Sequence, residues 1–255
     1  MGRFLLDEIK APGARALFAA ETVKVKRRPG CDVSSVVIRT GCREEEVACD
    51  RLLIAAGPWS PGISRALFPT ARRDLPIHAD TGSYSMLFRF PQITIKPDCR
   101  NKSVVLRSEG QHSLQLMMRD DGLVHAATVP PVTLDLGSAA ANGRIERIGD
   151  DLRALEAEIQ SLLSVPSEVV LRRACFSPVT ESRLPIISQV PSAWLDSECN
   201  GIHDDERRSE VFVLGGHGYW GIAASLGSGK LMAQLMLGEK TDVDITQFSL
   251  ESHSA

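Results

Sequence analysis

The sequence predicts a mixed α/β fold (α+β mixed) that combines an incomplete α/β domain with an antiparallel β-sheet domain. The first observation is a strand, a glycine turn and a helix, in that order, within residues 211–230. The second is an apolar strand that ends in small residues at 55–57 and leads into a short helix. The third is a series of alternating strands that begins at Leu75 and fits an antiparallel sheet with one solvated face.

Composition excludes several classes of protein. Of the 255 residues, 43% are hydrophobic and 24% are charged, which is typical of a globular protein. The net charge of −3 predicts neither a nucleic-acid nor an anionic-membrane partner, and no apolar run is long enough for a membrane span. The six cysteines are scattered, with no C-x-x-C and no histidine at ligand spacing, so we expect reduced thiols, no metal site and a cytoplasmic location.

The N-terminal region predicts a short helix followed by three strands. Residues 4–9 are amphipathic, and Pro12 and Gly13 end that helix. The strand-like runs are residues 16–26, 33–39 and 46–56. Ser60 is expected to cap the helix that Pro61 begins.

The middle of the chain predicts a sheet with one covering helix. Apolar-rich runs lie at residues 84–90, 103–107 and 114–118, and Asp121-Gly122 predicts a hairpin turn that leads to residues 123–127. The spacing of apolar residues between Ile148 and Leu162 predicts a helix that ends before Pro166 and covers the sheet. His125 is interpreted as a surface or packing residue.

The glycine turn near the C-terminal end is a candidate binding site. Gly216, Gly218 and Gly221 satisfy G-x-G-x-x-G, and glycines allow close approach of the backbone to a ligand at a helix N-terminus. A nicotinamide dinucleotide site would need a second strand and an acidic residue beyond the helix, and only Asp242 and Asp244 lie at that distance. A structural turn without a ligand is the other alternative.

Three stretches resemble the D-amino-acid oxidase-like (DAO) family of flavoenzymes, and together they cover most of the chain. The first is GGHGYWGIAASLGSGKLMAQLMLGE, which resembles the family's C-terminal signature. The second is AAGPWS at residues 55–60, and the third is RRACFSPVTESRLPIIS at residues 172–188. In the family, the N-terminus of the helix after the glycine turn faces the pyrimidine end of the flavin, where negative charge develops on reduction.

The resemblance implies a partial FAD/NAD(P)-binding domain of the DAO or glutathione-reductase-like type, with an antiparallel β-sheet substrate domain. The implied divisions are residues 1–74 and 171–255 for the FAD-binding domain and 75–170 for the substrate domain. The implied cofactor is FAD, and the implied reaction is hydride transfer to flavin from a C–H next to the nitrogen of a small amine or amino-acid-like substrate.

The resemblance also implies roles for individual residues. The expected flavin contacts are Ala55, Ala56, Gly57, Trp59, Gly216, His217, Gly218, Gly221 and Ile222. The expected substrate pocket contains Tyr219, Trp220, Ser177 and Arg173. His217 is the candidate catalytic residue.

The third stretch departs from the family pattern. Ser177 stands where many amino-acid-oxidising members carry an arginine that pairs with the substrate carboxylate, and Arg172 or Arg173 could supply that charge. Ser182 and Arg183 replace an Asp-Gly pair, and Ser188 replaces a final glycine. These departures place a plain amino-acid substrate in question.

The family pattern begins with a strand and a G-x-G-x-x-G turn for the FAD pyrophosphate, and no such unit occurs near Met1. The sequence therefore predicts an open edge on the central sheet. It leaves two alternatives: an incomplete FAD enzyme, or a non-catalytic paralogue or gene-model fragment that acts through protein interaction. Residues 194–210 predict a polar loop, in which the His203, Asp204, Asp205 and Glu206 cluster is interpreted as a solvated tip.

Overall fold

A computed structural model of the protein describes residues 2–10, 13–28, 33–107, 113–129, 132–133, 146–163, 165–195 and 208–253. The chain forms two compact units. The first unit contains Met1–Leu75, Ile187–Leu214 and Gly227–Ala255, and the second contains Pro76–Ile186 and Gly215–Leu226. Mixed α/β architecture with antiparallel sheets is therefore confirmed.

The helices of the described residues are α1 (Gly2–Lys10), α2 (Ser60–Leu67), α3 (Glu146–Leu163), α4 (Ser192–Leu195) and α5 (Gly221–Leu237). The strands are β1 (Ala20–Arg27), β2 (Val33–Thr40), β3 (Arg43–Ala48), β4 (Leu52–Ile54), β5 (His78–Arg89), β6 (Ser103–Arg107), β7 (Ser113–Met118), β8 (Val124–Val129), β9 (Val132–Thr133), β10 (Glu168–Val179), β11 (Ile186–Pro191) and β12 (Arg208–Gly215).

The first unit contains an antiparallel sheet in the order β1-β2-β3 and a second sheet in the order β11-β12-β4. The predicted single strand at residues 46–56 is wrong, because it is divided between these two sheets. β3 pairs with β2 antiparallel, whereas β4 pairs with β12 in parallel. The polar residues between them, Asp50 and Arg51, mark the change of sheet, and one straight strand cannot pair in both.

The core of the first unit lies against β12. Val211, Phe212 and Val213 are all buried, which is the continuous apolar pattern of a strand covered on both faces. Phe212 packs in one cluster with Ile187 of β11 and Met232 of α5. This arrangement confirms 211–214 as a buried strand and anchors the C-terminal half of α5.

The second unit is an antiparallel sheet in the order β10-β5-β8-β7-β6, with β9 pairing to β5. Helix α3 covers one face, as predicted from its apolar spacing, and buries Leu152, Leu155 and Ile159. The predicted hairpin is also present: Gly122 has a φ of 80° in the loop that joins β7 to β8. That left-handed conformation explains why glycine follows Asp121.

The prediction that Trp194 begins a polar loop is wrong. Trp194 and Leu195 lie in the short helix α4 and are buried, and the backbone N–H of Arg72 donates to the carbonyl of Trp194 at 2.8 Å. The guanidinium of Arg73 lies over the Trp194 ring, 5.1 Å from its centroid. The histidine and acidic cluster at 203–206 lies outside the described residues.

Candidate functional site

In the first unit, the Ala-Ala-Gly segment follows the carboxyl end of β4. Gly57 has a φ of 58° and begins a 3₁₀ turn, Gly57–Trp59, that leads directly into α2. The predicted role of Ser60 as a helix cap is wrong, because Ser60 is itself the first residue of α2 and its side chain contacts the segment that precedes the helix. Its fully buried hydroxyl accepts a hydrogen bond of 3.1 Å from the N–H of Ala56. This contact fixes the backbone of the segment.

Within the first unit, the Ala-Ala-Gly segment and the neighbouring Trp59 are partly or largely exposed to solvent. Trp59 is 51% exposed and Ala55 is exposed, whereas Ala56 and Gly57 are partly buried. Small residues at a strand end allow a flat ligand to approach the backbone. Ala55, Ala56, Gly57 and Trp59 thus lie together in the first unit, and the other predicted site residues lie in the second.

In the second unit, the glycine turn is positioned by the end of β10. Val179 and His217 form an isolated antiparallel bridge, and Gly216 and Gly218 have φ values of 77° and 56°. A Cβ at Gly216 would lie 2.8 Å from Cγ2 of Thr180, and a Cβ at Gly218 would lie 3.4 Å from Cγ1 of Val179. Both glycines are therefore required by conformation, and Gly216 also by space.

The residues that follow the turn are exposed within the unit. Gly218–Trp220 forms a 3₁₀ turn with no side-chain cap, and α5 begins at Gly221. Tyr219, Trp220 and Ile222 are 56%, 75% and 79% exposed. Large apolar side chains at this exposure are unusual for core packing, so the interpretation of Tyr219 and Trp220 as packing residues of a tight turn is wrong for this unit.

His217 is half-buried, and burial lowers the pKa of its imidazole below the ordinary value of 6.5. The imidazole is therefore neutral at pH 7. Burial is also the main cause that lowers the pKa of His125, with a smaller contribution from the charge of Arg119.

These two histidines predict a pH dependence of stability. As pH falls below about 6.5, the histidines of the unfolded chain bind protons more readily than the half-buried His125 and His217 of the folded protein, so the free energy of unfolding should decrease. Between pH 7 and 8 they should have no effect. Thermal unfolding of the wild type and the His125→Gln/His217→Gln double variant from pH 8 to 5 tests this, because the variant should show a shallower decline. Equal declines would contradict it.

The structure separates the two arginines that the sequence left as alternatives. Nε and an Nη of Arg172 lie 2.8 and 2.6 Å from Oε2 of Glu156, which is on α3. Arg173 and Ser177 lie on the opposite face of β10, since alternate side chains of a strand face opposite sides. Ala174 and Phe176 pack towards α3, consistent with this assignment.

Sequence reasoning missed how tightly the turn after β10 is held. Thr180 is buried; its hydroxyl donates to the carbonyl of Leu184 at 2.6 Å, and its own carbonyl accepts from the N–H of Arg183 at 3.0 Å. Arg183 has a φ of 62° in this turn. This is the position where the family pattern has glycine, and that glycine was the available signal.

Arg183→Gly is therefore expected to raise the free energy of unfolding by about 0.5–1 kcal/mol, because a left-handed conformation is costly for a residue with a Cβ. Arg183→Ala, which keeps the Cβ, should give no such gain. Urea unfolding of the three proteins measures the difference. Equal stabilisation by both substitutions would show that the arginine side chain, and not the backbone, is unfavourable.

The alternative of a nicotinamide dinucleotide site is not supported. Asp242 pairs with Lys230 and Gln234, and Asp244 accepts from the N–H and hydroxyl of Thr246. Between 238 and 253 the chain forms two 3₁₀ turns and no second strand.

Among the described residues, no group of histidines, cysteines or carboxylates is arranged to hold a metal ion, and no helix is both long and apolar enough to cross a membrane.

Comparisons with known proteins agree with the three matching stretches. Residues 2–235 match the family DAO, described as FAD dependent oxidoreductase. A D-amino-acid oxidase of Bradyrhizobium diazoefficiens is 25% identical over 247 residues, which is 96% of this chain and 49% of that protein. The chain thus spans about half the length of this relative.

Solved structures share the fold. L-amino acid deaminase from Proteus vulgaris, with its specific insertion sequence deleted, has a TM-score of 0.58 and 21% identity, covering 96% of this chain and 52% of that one. L-proline dehydrogenase from P. horikoshii has a TM-score of 0.63 and 14% identity, covering 96% and 56%. With the family match extending over most of its length, the chain belongs to the DAO family of FAD dependent oxidoreductases.

Proposed function

We propose that this protein binds FAD and oxidises a C–H next to the nitrogen of a small amine or amino-acid-like substrate. The observation that carries the proposal is the glycine turn of the second unit, with its left-handed glycines and a 3₁₀ turn that has no side-chain cap and exposes Tyr219 and Trp220. The D-amino-acid oxidase, the L-amino acid deaminase and the L-proline dehydrogenase named above are consistent with it.

The residues of the turn fit the electron-rich edge of a flavin. Gly216 and Gly218 carry no side chain that would hold a ligand away from the backbone. The first N–H groups after His217 have no side-chain cap, so they are free of that competitor for a carbonyl or anionic oxygen. In the first unit, the backbone of Ala55, Ala56 and Gly57 beside Trp59 is proposed as a separate cofactor contact.

When bound, FAD supplies the chemistry of accepting a hydride from the substrate carbon. Tyr219 and Trp220 are proposed to form walls that orient the substrate and exclude water. Burial lowers the pKa of His217, so its neutral imidazole keeps one unprotonated ring nitrogen, which is proposed to accept a hydrogen bond from the substrate nitrogen. The backbone of Gly218, Gly221 and Ile222 is proposed to favour the negative charge that develops at the helix start.

Anaerobic mixing of the FAD-loaded protein with a panel of amines and amino acids tests the proposal. Bleaching of the visible flavin absorption by one class, with a rate reduced in His217→Gln, is the expected result. A flavin that no member of the panel reduces, although dithionite reduces it, would refute the proposed oxidation and favour a non-catalytic protein.

A further inference from the structure

We propose that Thr180 is a positioning residue of the glycine turn: its side chain fixes the place of Gly216, and thereby the direction of the N–H groups that follow. This inference rests on the proposed function, because it takes those N–H groups as a contact for FAD. The residues that carry it all lie in the second unit. Thr180 itself is buried, so its role is to hold the turn and not to touch the cofactor.

The rotamer of Thr180 is fixed by its hydroxyl group. The hydroxyl donates to the carbonyl of Leu184 at 2.6 Å and lies 3.2 Å from the hydroxyl of Ser182. Rotation about χ1 would break both contacts at a buried site, and χ1 of a β-branched side chain is stiff. The methyl group of Thr180 is therefore held in one position.

That methyl group lies against Gly216. A Cβ at Gly216 would be only 2.8 Å from Cγ2 of Thr180. The next nearest atoms, the N of Ile186 and the O of Leu184, would be 3.7 and 3.8 Å away, at ordinary contact distance. Gly216 therefore packs directly on the threonine methyl group, which cannot move away because its rotamer is fixed.

The adjacent residue of β10 holds the next part of the turn. Val179 forms the antiparallel bridge with His217, and its Cγ1 would lie 3.4 Å from a Cβ at Gly218. Val179 and Thr180 thus contact consecutive residues of the turn. Because a glycine has no side chain to restrain its own left-handed backbone, the position of the turn depends on these contacts from β10.

Two substitutions separate the two groups on the Cβ of Thr180. Thr180→Ser keeps the hydroxyl and removes the methyl group, whereas Thr180→Val keeps the methyl group and removes the hydroxyl. We expect Thr180→Ser to raise the dissociation constant of FAD, measured by fluorescence titration, about 2- to 10-fold. Thr180→Val should bind FAD within about twofold of the wild type, although its thermal midpoint should fall because a buried hydrogen bond is lost.

Thr128→Ser is the matched control. Thr128 is another buried threonine of the second unit, on β8, and its hydroxyl accepts from the N–H of Tyr84 at 3.1 Å. The substitution removes the same methyl group from a different buried site, so it should leave the dissociation constant of FAD unchanged. Equal effects of Thr180→Ser and Thr128→Ser, or a larger loss of affinity in Thr180→Val than in Thr180→Ser, would overturn the inference.

A second set of variants tests the methyl contact in the protein without FAD. Gly216→Ala places a Cβ against the methyl group and should lower the thermal midpoint. Adding Thr180→Ser should raise that midpoint by about 2–4 °C, because it removes the methyl group that the Cβ meets, whereas adding Thr180→Val should give no recovery. Simply additive effects would overturn the contact. Recovery in a protein that binds no FAD would support the contact while refuting the proposed function.

Discussion

Replacing Gly218 with valine is expected to abolish retention of FAD. Gly218 has a φ of 56°, which a β-branched residue rarely adopts, and its Cβ would lie 3.4 Å from Cγ1 of Val179. The left-handed backbone would therefore be strained, and the side chain would block the approach of a ligand to the backbone. The ratio of flavin to protein after gel filtration measures the effect.

Gly227→Ala is the control for this substitution. Gly227 lies in α5 with open space around the position of a Cβ, and alanine is the better helix former there. We expect normal flavin content and a gain in stability of about 0.5–1 kcal/mol. If Gly218→Val retained as much flavin as Gly227→Ala, the glycine turn would not be the cofactor contact.

Phe88→Ala is expected to give the largest loss of stability, about 3–5 kcal/mol, because it removes a fully buried aromatic ring between the sheet and α3. Urea unfolding followed by circular dichroism measures the loss. Val105→Ala on β6 is the control: its side chain is 52% exposed, and the change should cost about 0.5 kcal/mol or less. Similar losses for both would contradict the assignment of Phe88 to the core of the second unit.

Short-range sequence patterns correctly predicted those helices, strands and turns that are determined by residues close to one another in the sequence. The alternation in β7 and the Asp121-Gly122 turn predicted a hairpin, and the apolar spacing from Ile148 predicted α3. The run at 46–56 was misinterpreted because sequence alternation does not identify the partner strand, and β3 and β4 have partners in different sheets. Trp194 was missed because four residues give too short a pattern for a helix.

In the candidate site too, some features were predictable from neighbouring residues and others depend on contacts between distant residues. Glycines at 216 and 218 predicted a turn that requires left-handed backbone, and the structure has that backbone. Arg172 and Arg173 were equivalent in the sequence, because only the register of β10 with β5 decides which one faces α3. The backward hydrogen bond to Ser60 was also beyond prediction, since serine before proline fits a helix cap equally well.

The most direct test of the account is the visible absorption spectrum of the purified 255-residue chain, incubated with FAD and then desalted. We expect the absorption bands of bound flavin to remain with the wild type and to be lost from Gly218→Val. A folded wild-type protein that emerges colourless would contradict the central claim that the glycine turn of this chain binds FAD.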